Sequence, residues 1–322
     1  MIFSNPATSL LLAIFVNSDL LSVKALDVST LTISDSVLPG IASRVTEWYD
    51  QAPASNIPFT VTITNTNDSP NDESYSIKSF PCSDDDSSPV DIIVSGSQHG
   101  AYALLELIGV TFMHPLEPTI FKSSPVTRET ICDLNINTSP HWPERGWHYN
   151  TLHPLELTEV LNGLDAMDSP LKGEIETFES MLPQVDLFFQ WCIANGQNYV
   201  QWVLLNDKNW EDGFVDGYLR KERLKVITDM AHDVGLRASA DVTIALKQQH
   251  SWHMINSARD KNWQEQIDGR LDWLFNGAGF DMLGTESGTT EFTHPSCETM
   301  VGWMNYTAML CDEKYVGRAS EP

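Results

Sequence analysis

Two glutamates, Glu286 and Glu291, stand five residues apart in "GTESGTTEFTHP", directly after the apolar run from Phe280 to Leu283. Carboxylates in a small-residue loop just past a buried strand suit acid–base work, because loops after parallel strands are where barrel enzymes keep such groups. Glu286 follows the strand at once and is expected to face the mouth of such a site. Glu291, beyond Gly288, is placed to reach back over the same pocket. A solvated turn would have the same composition. A third acid, Asp241, lies in "SADVTIA", where apolar neighbours make a carboxylate costly unless it is paired. These three are the candidate catalytic residues.

Elements that would carry them follow from periodicity. "ERGWHYNTLHP" begins a strand after the Pro-rich junction "NTSPHWPE". "QNYVQWVLLND" is a second strand, and Leu224, Ile227, Ala231 and Val234 recur at helical spacing up to Gly235. "LRASADVTIAL" is a third strand; Trp263, Ile267, Leu271 and Leu274 mark the next helix, closed by Gly277 and Gly279. "FDMLGTES" is a fourth strand, and "CETMVGWMNYTAMLCDEKY" a fourth helix. Regular alternation calls for a parallel sheet, and a (β/α)₈ barrel is its best candidate. Residues at the strand ends then become candidates: Asn150, His153 and Glu156 after the first, Asn206 and Asp207 after the second, Asp241 after the third. Trp147, Trp202 and Trp210 lie near the same ends, where an aromatic face suits the C–H face of a sugar; core packing explains each equally well. Of these, Asn150, His153, Trp202, Asn206 and Asp207 are the expected substrate contacts.

A whole barrel takes about 250 residues, and residues 141–322 supply four units. The expectation is therefore the first half of a barrel, truncated or completed by another chain, since an open half leaves sheet edges and strand faces exposed. A doubly wound open sheet is the alternative. No G-x-G-x-x-G or P-loop accompanies it, and no cofactor is expected. His250 and His253 with Asp241 upstream lack an H-E-x-x-H frame, so no metal is expected either.

Residues 26–140 read as a small α/β domain. "FTVTITN" and "DIIVSG" have the β-branched character of strands, and the acidic loops "NTNDSPNDES" and "SDDDSSP" lack the calcium-loop frame. Ala101, Leu104, Leu105 and Ile108 form one helical face, stopped by Gly109 before a strand at Val110. The order strand, "HGAYALLELIGVTFMHP", strand resembles the small domain that precedes the catalytic barrel in glycoside hydrolases such as the β-hexosaminidases and α-glucuronidases. That resemblance implies hydrolysis of O-glycosidic bonds in an oligo- or polysaccharide. In the β-hexosaminidases an Asp-Glu pair closes the fourth strand; here the position reads Thr285-Glu286-Ser287, which removes the acid that supports a substrate acetamido group. The remaining scheme is a two-carboxylate one, with a general acid and a base or nucleophile. A non-catalytic carbohydrate-binding or structural protein is the other class consistent with half a barrel.

The chain has 322 residues, 42% hydrophobic and 20% charged, and acids outnumber bases 44 to 19 for a formal charge of -25. Such a field repels nucleic acid and anionic membranes. "LLLAIFV" at residues 10–16, with the small-x-small Val23-Lys24-Ala25, reads as a secretory leader over residues 1–25, and it is too short to span a membrane. Secretion suits the three N-x-S/T sequons at Asn67, Asn137 and Asn305, although Pro70 and Pro140 follow the first two. It also suits two disulfides among five cysteines with one left over.

Overall fold

The computed structural model describes residues 29–53, 55–67, 72–80, 88–121, 126–149, 157–166, 176–205, 218–245, 252–257, 259–285 and 295–315. The proposed leader, Asn150, His153, Glu156, Asn206, Asp207, Trp210, His250, Glu286 and Glu291 lie outside them.

The first half builds one mixed sheet from β1 (Ser29–Ile33), β2 (Phe59–Thr64), β3 (Tyr75–Phe80), β4 (Val90–Gly96) and β7 (Asn135–Thr138), in the order β1-β2-β4-β3-β7. β1, β2 and β4 run parallel, while β3 is antiparallel to both its neighbours. Strict alternation makes the sheet two-faced. Phe59, Val61, Ile63, Val90, Ile92 and Val94 are buried, whereas the intervening threonines of β2 remain half-exposed. Against the apolar face lie α1 (Pro39–Gln51), started by a proline at its first turn, and α2 (Gln98–Leu107). The expected stripe is present on α2: Ala101, Leu104, Leu105 and Ile108 are all buried. Gly109, at φ +95°, provides the left-handed exit that a side chain would resist. The chain then turns into the hairpin β5 (Val110–His114) and β6 (Glu117–Ile120), and the short helix α3 (Arg128–Ile131) precedes β7.

The second half is a four-stranded sheet of β8 (Gly146–Tyr149), β9 (Tyr199–Val203), β10 (Arg237–Asp241) and β11 (Met282–Gly284). All four are parallel and lie in sequential order. Among the described strands the order does not reverse as it does in a doubly wound sheet. A short helix α4 (Thr158–Leu161) precedes α5 (Phe178–Ala194), α6 (Tyr218–Asp233), α7 (Trp263–Asp272) and α8 (Cys297–Lys314). Consecutive helices touch along the row, α4 on α5, α5 on α6 and α7 on α8. The four positions expected to line α6, Leu224, Ile227, Ala231 and Val234, are fully buried. α7 widens into a π-type turn over Trp273–Gly277, which carries Leu274 onto the same buried side.

The two sheets share one core. The outer sides of α1 and α2 pack on α5 and α6, and polar groups lock the contact: Arg44 Nε donates to Asp186 at 2.7 Å, and Trp48 Nε1 and Tyr102 Oη donate to Gln190 Oε1 at 2.7 and 3.1 Å. His99 Nδ1 meets the Ile193 carbonyl at 2.9 Å, and Asn195 Nδ2 donates to the Phe112 carbonyl at 3.0 Å. The expectation of two disulfides is corrected. Cys132 is disulfide-bonded, but Cys192, Cys297 and Cys311 are free thiols, so five cysteines leave room for one bridge. Cys192 is buried on α5, where burial pushes its thiol far up and makes it a core residue instead of a nucleophile.

Candidate functional site

Strand alternation assigns the residues of the parallel sheet to two faces. Trp147 pairs with Val200, Tyr149 with Trp202, Ala238 with Val200 and Ala240 with Trp202. This is the helix-facing side: Trp147 stacks on Trp191 of α5 at 5.7 Å and Tyr149 lies 5.7 Å from Phe188. Trp202 belongs here, 0% exposed and 5.1 Å from the Phe280 ring. Its expected part in substrate contact is thereby corrected, since no sugar can reach a ring enclosed between strand and helix layers. Trp147 is half-exposed on the edge strand.

The opposite face carries His148, Gln201 and Ser239 in one row of the register and Val203, Asp241 and Gly284 in the next. Asp241, at the C-terminal end of β10, is 8% exposed, and its Oδ2 lies 3.0 Å from His148 Nε2. The two residues sit on strands separated by β9. Gln201 likewise reaches over β10: a Cβ added to Gly284 would lie 2.1 Å from Gln201 Nε2 and 3.5 Å from Asp241 Oδ1. Adjacent strands are about 4.8 Å apart and side chains stand roughly perpendicular to a sheet, so on a flat sheet such pairs would be held about 9.6 Å apart at their roots. His148 and Gln201 thus lean across an intervening strand to reach their partners on this face. An imidazole, a carboxylate and a carboxamide therefore converge at the C-terminal end of a parallel sheet, a set able to exchange protons and to grip hydroxyl groups.

A second polar node lies at the other end of the strands. Glu73, from the acidic loop before β3, accepts from Arg145 and from Asn198 Nδ2, the latter at 2.8 Å. Asn198 in turn donates to the Pro143 carbonyl at 2.7 Å and accepts from Arg145 N at 2.8 Å. His99 Nε2 stands 3.8 Å from the same carboxylate. Burial pushes Glu73 upward, but His99, Arg145 and Asn198 around it together hold it well below the carboxylate range, at about 2. Arg145 and Asn198 immediately precede β8 and β9, so this node fixes where the two strands start. At the exit of β9, buried Asn162 accepts from Leu205 N at 2.8 Å and from Arg220 at 3.0 Å. Burial lowers the Arg220 guanidinium to about 9.

Asp241 is the one expected catalytic residue among the described residues. His148 and Gln201 were not singled out from the sequence; their signal was a polar residue at alternate positions in "GWHY" and "YVQWV". Among the described residues no group of three His, Cys, Asp or Glu is arranged to hold a metal ion, and no helix is long and apolar enough to cross a membrane.

No protein-family model and no curated protein matches the chain. Among solved structures it is similar to a GH138 enzyme targeting pectin rhamnogalacturonan II, at 9% identity and a TM-score of 0.49. That alignment covers 89% of this chain and 34% of the other, so the chain spans about a third of the length of the enzyme.

Proposed function

We propose that the protein is a secreted glycoside hydrolase-like protein in which β8 to β11 form the first half of a (β/α)₈ barrel, closed by four further β/α units, with a carbohydrate held at the C-terminal mouth. The observation that carries this reading is the pairing of side chains from alternate strands, His148 with Asp241 and Gln201 over Gly284. Barrel interiors are layered in this way, each layer drawing on alternate strands, and catalytic groups come from the strand ends. Asp241 is then one of the two carboxylates that glycoside hydrolysis uses. Glu286 or Glu291, in the loop after β11, is the other, acting as general acid. His148 orients Asp241, and Gln201 offers both a donor and an acceptor to sugar hydroxyls. Asn150, His153, Asn206 and Asp207 extend the subsite from the loops after β8 and β9. Residues 1–25 are the secretory leader on the same reading.

The test is retention on immobilised oligo- and polysaccharides, by the chain alone and extended by four further β/α units. Asp241→Asn is expected to weaken retention while leaving the circular dichroism spectrum unchanged. Hydrolysis of the retained glycan separates an enzyme from a binding protein. Failure of both forms to retain any glycan would overturn the proposal.

A further inference from the structure

α8 carries the sequon Asn305-Tyr306-Thr307, and its packing is at odds with its composition at one position. Trp303, Thr307 and Leu310 are the buried residues of this helix, grouped on one side by their spacing of four and three. Thr307 is 3% exposed, yet its Oγ1 has no hydrogen-bond partner among the described residues. A helical threonine ordinarily turns its hydroxyl to the carbonyl one turn back. Left unpaired in the core, the hydroxyl costs stability that a valine of the same shape would not. Nothing in the packing among the described residues calls for a threonine here.

Asn305 lies on the other side of the helix. At about 100° per residue it points roughly opposite to the buried group, flanked four residues either way by Val301 and Met309. Asn305 is exposed, as are its helix neighbours Val301 and Met309. Neither of the other sequons matches it. Asn67 uses its Nδ2 on the Asp72 and Ser74 carbonyls, the latter at 3.0 Å, and Pro70 follows. Asn137 lies within β7, and Pro140 follows. Ala308 follows the sequon of α8.

We infer that Asn305 is the N-glycosylation site of this protein and that Thr307 is retained for the recognition of that sequon before folding. The co-reactant is a lipid-linked oligosaccharide diphosphate. Asn305 Nδ2 attacks C1 of its first sugar; the C1–N bond forms, the C1–O bond to the diphosphate breaks, and the lipid diphosphate leaves with that electron pair. The amide nitrogen releases one proton to a base. The inference rests on the leader reading above and is independent of any hydrolytic activity.

Full-length chain is translated with secretory microsomes in two arms, one with its own residues 1–25 and one with these replaced by a proven leader, and tryptic peptides are mapped before and after peptide N-glycanase. One glycan on Asn305 is expected. It disappears in Asn305→Gln and in Thr307→Val and persists in Thr307→Ser. Thr307→Val is also expected to melt above the deglycosylated wild type, because it removes the orphan hydroxyl. A glycan in the second arm only sinks the leader reading and leaves the site standing. An unmodified Asn305 in the second arm, or modification that survives Asn305→Gln, overturns the inference.

Discussion

Neutralising Glu73 offers the sharpest check on how the two sheets are joined. Its carboxyl is held at about 2, against an ordinary 4.5. At about 1.4 kcal/mol per factor of ten, that depression sets a ceiling of about 3 kcal/mol on what the ionised form contributes to folding. The side chain keeps 16% of its surface in water, and solvent screening of such a site brings the working figure to about 1–2 kcal/mol. The sign follows from the direction: a depressed folded value means the contribution is complete above 4.5 and is lost as the pH falls toward 2. Glu73→Gln keeps the shape and an acceptor for Asn198 but removes the charge facing Arg145. Urea unfolding of the variant at pH 7 should therefore show a loss of about 1–2 kcal/mol. The gap between wild type and variant should narrow below pH 4.5, with more than half of it gone by pH 3. Curves that run parallel from pH 7 to pH 3 would refute the reasoning, since they would mean the carboxylate is no better held in the folded chain than in the unfolded one.

Three further outcomes follow from the same geometry. Gln190→Leu strips the acceptor from Trp48 and Tyr102 in the helix layer between the sheets and should cost about 1–3 kcal/mol in a denaturation experiment, since one buried and one half-buried donor are orphaned. Gly284→Ala puts a methyl group where the Gln201 amide lies; it should cost about 1 kcal/mol in the wild-type background and close to nothing beside Gln201→Ala, a coupling that a double-mutant cycle reads directly. His232 is raised above 6.5, first by its hydrogen bond to Asp281, against the opposing effect of burial; its contribution is complete below 6.5 and lost as pH rises through the folded value, so melting temperatures of wild type and His232→Gln should converge on going from pH 5.5 to pH 9.

The contrast between Leu104 and Glu73 shows what kind of information a single chain makes legible. Leu104 belongs to a stripe whose spacing states both its element and its buried side, and Gly109 marks the stop, so α2 is readable locally. The same holds for α6, with its four buried positions before Gly235, and for β9 and β10. α5 is not readable in this way, because Phe178, Met181, Val185, Phe188, Phe189, Cys192 and Ile193 are all buried and apolar residues crowd most of its circumference. The polar residues Glu179, Asp186 and Gln190 share one narrow stripe, and Asp186 and Gln190 face Arg44, Trp48 and Tyr102 of the first half instead of water. Glu73 was hidden for the opposite reason. It sits in an acidic run beside exposed Asp72, and what singles it out is Arg145, seventy-two residues onward. The candidate site divides along the same line. Asp241 stood out as an acid among apolar neighbours, a cost that demands a partner. The partner, His148, is an ordinary strand residue until the strand order sets β8 two places from β10 and its side chain leans over β9. Strand order is a property of the assembled sheet, so a search confined to acidic residues near strand ends finds one member of such a dyad and passes over the residue that completes it.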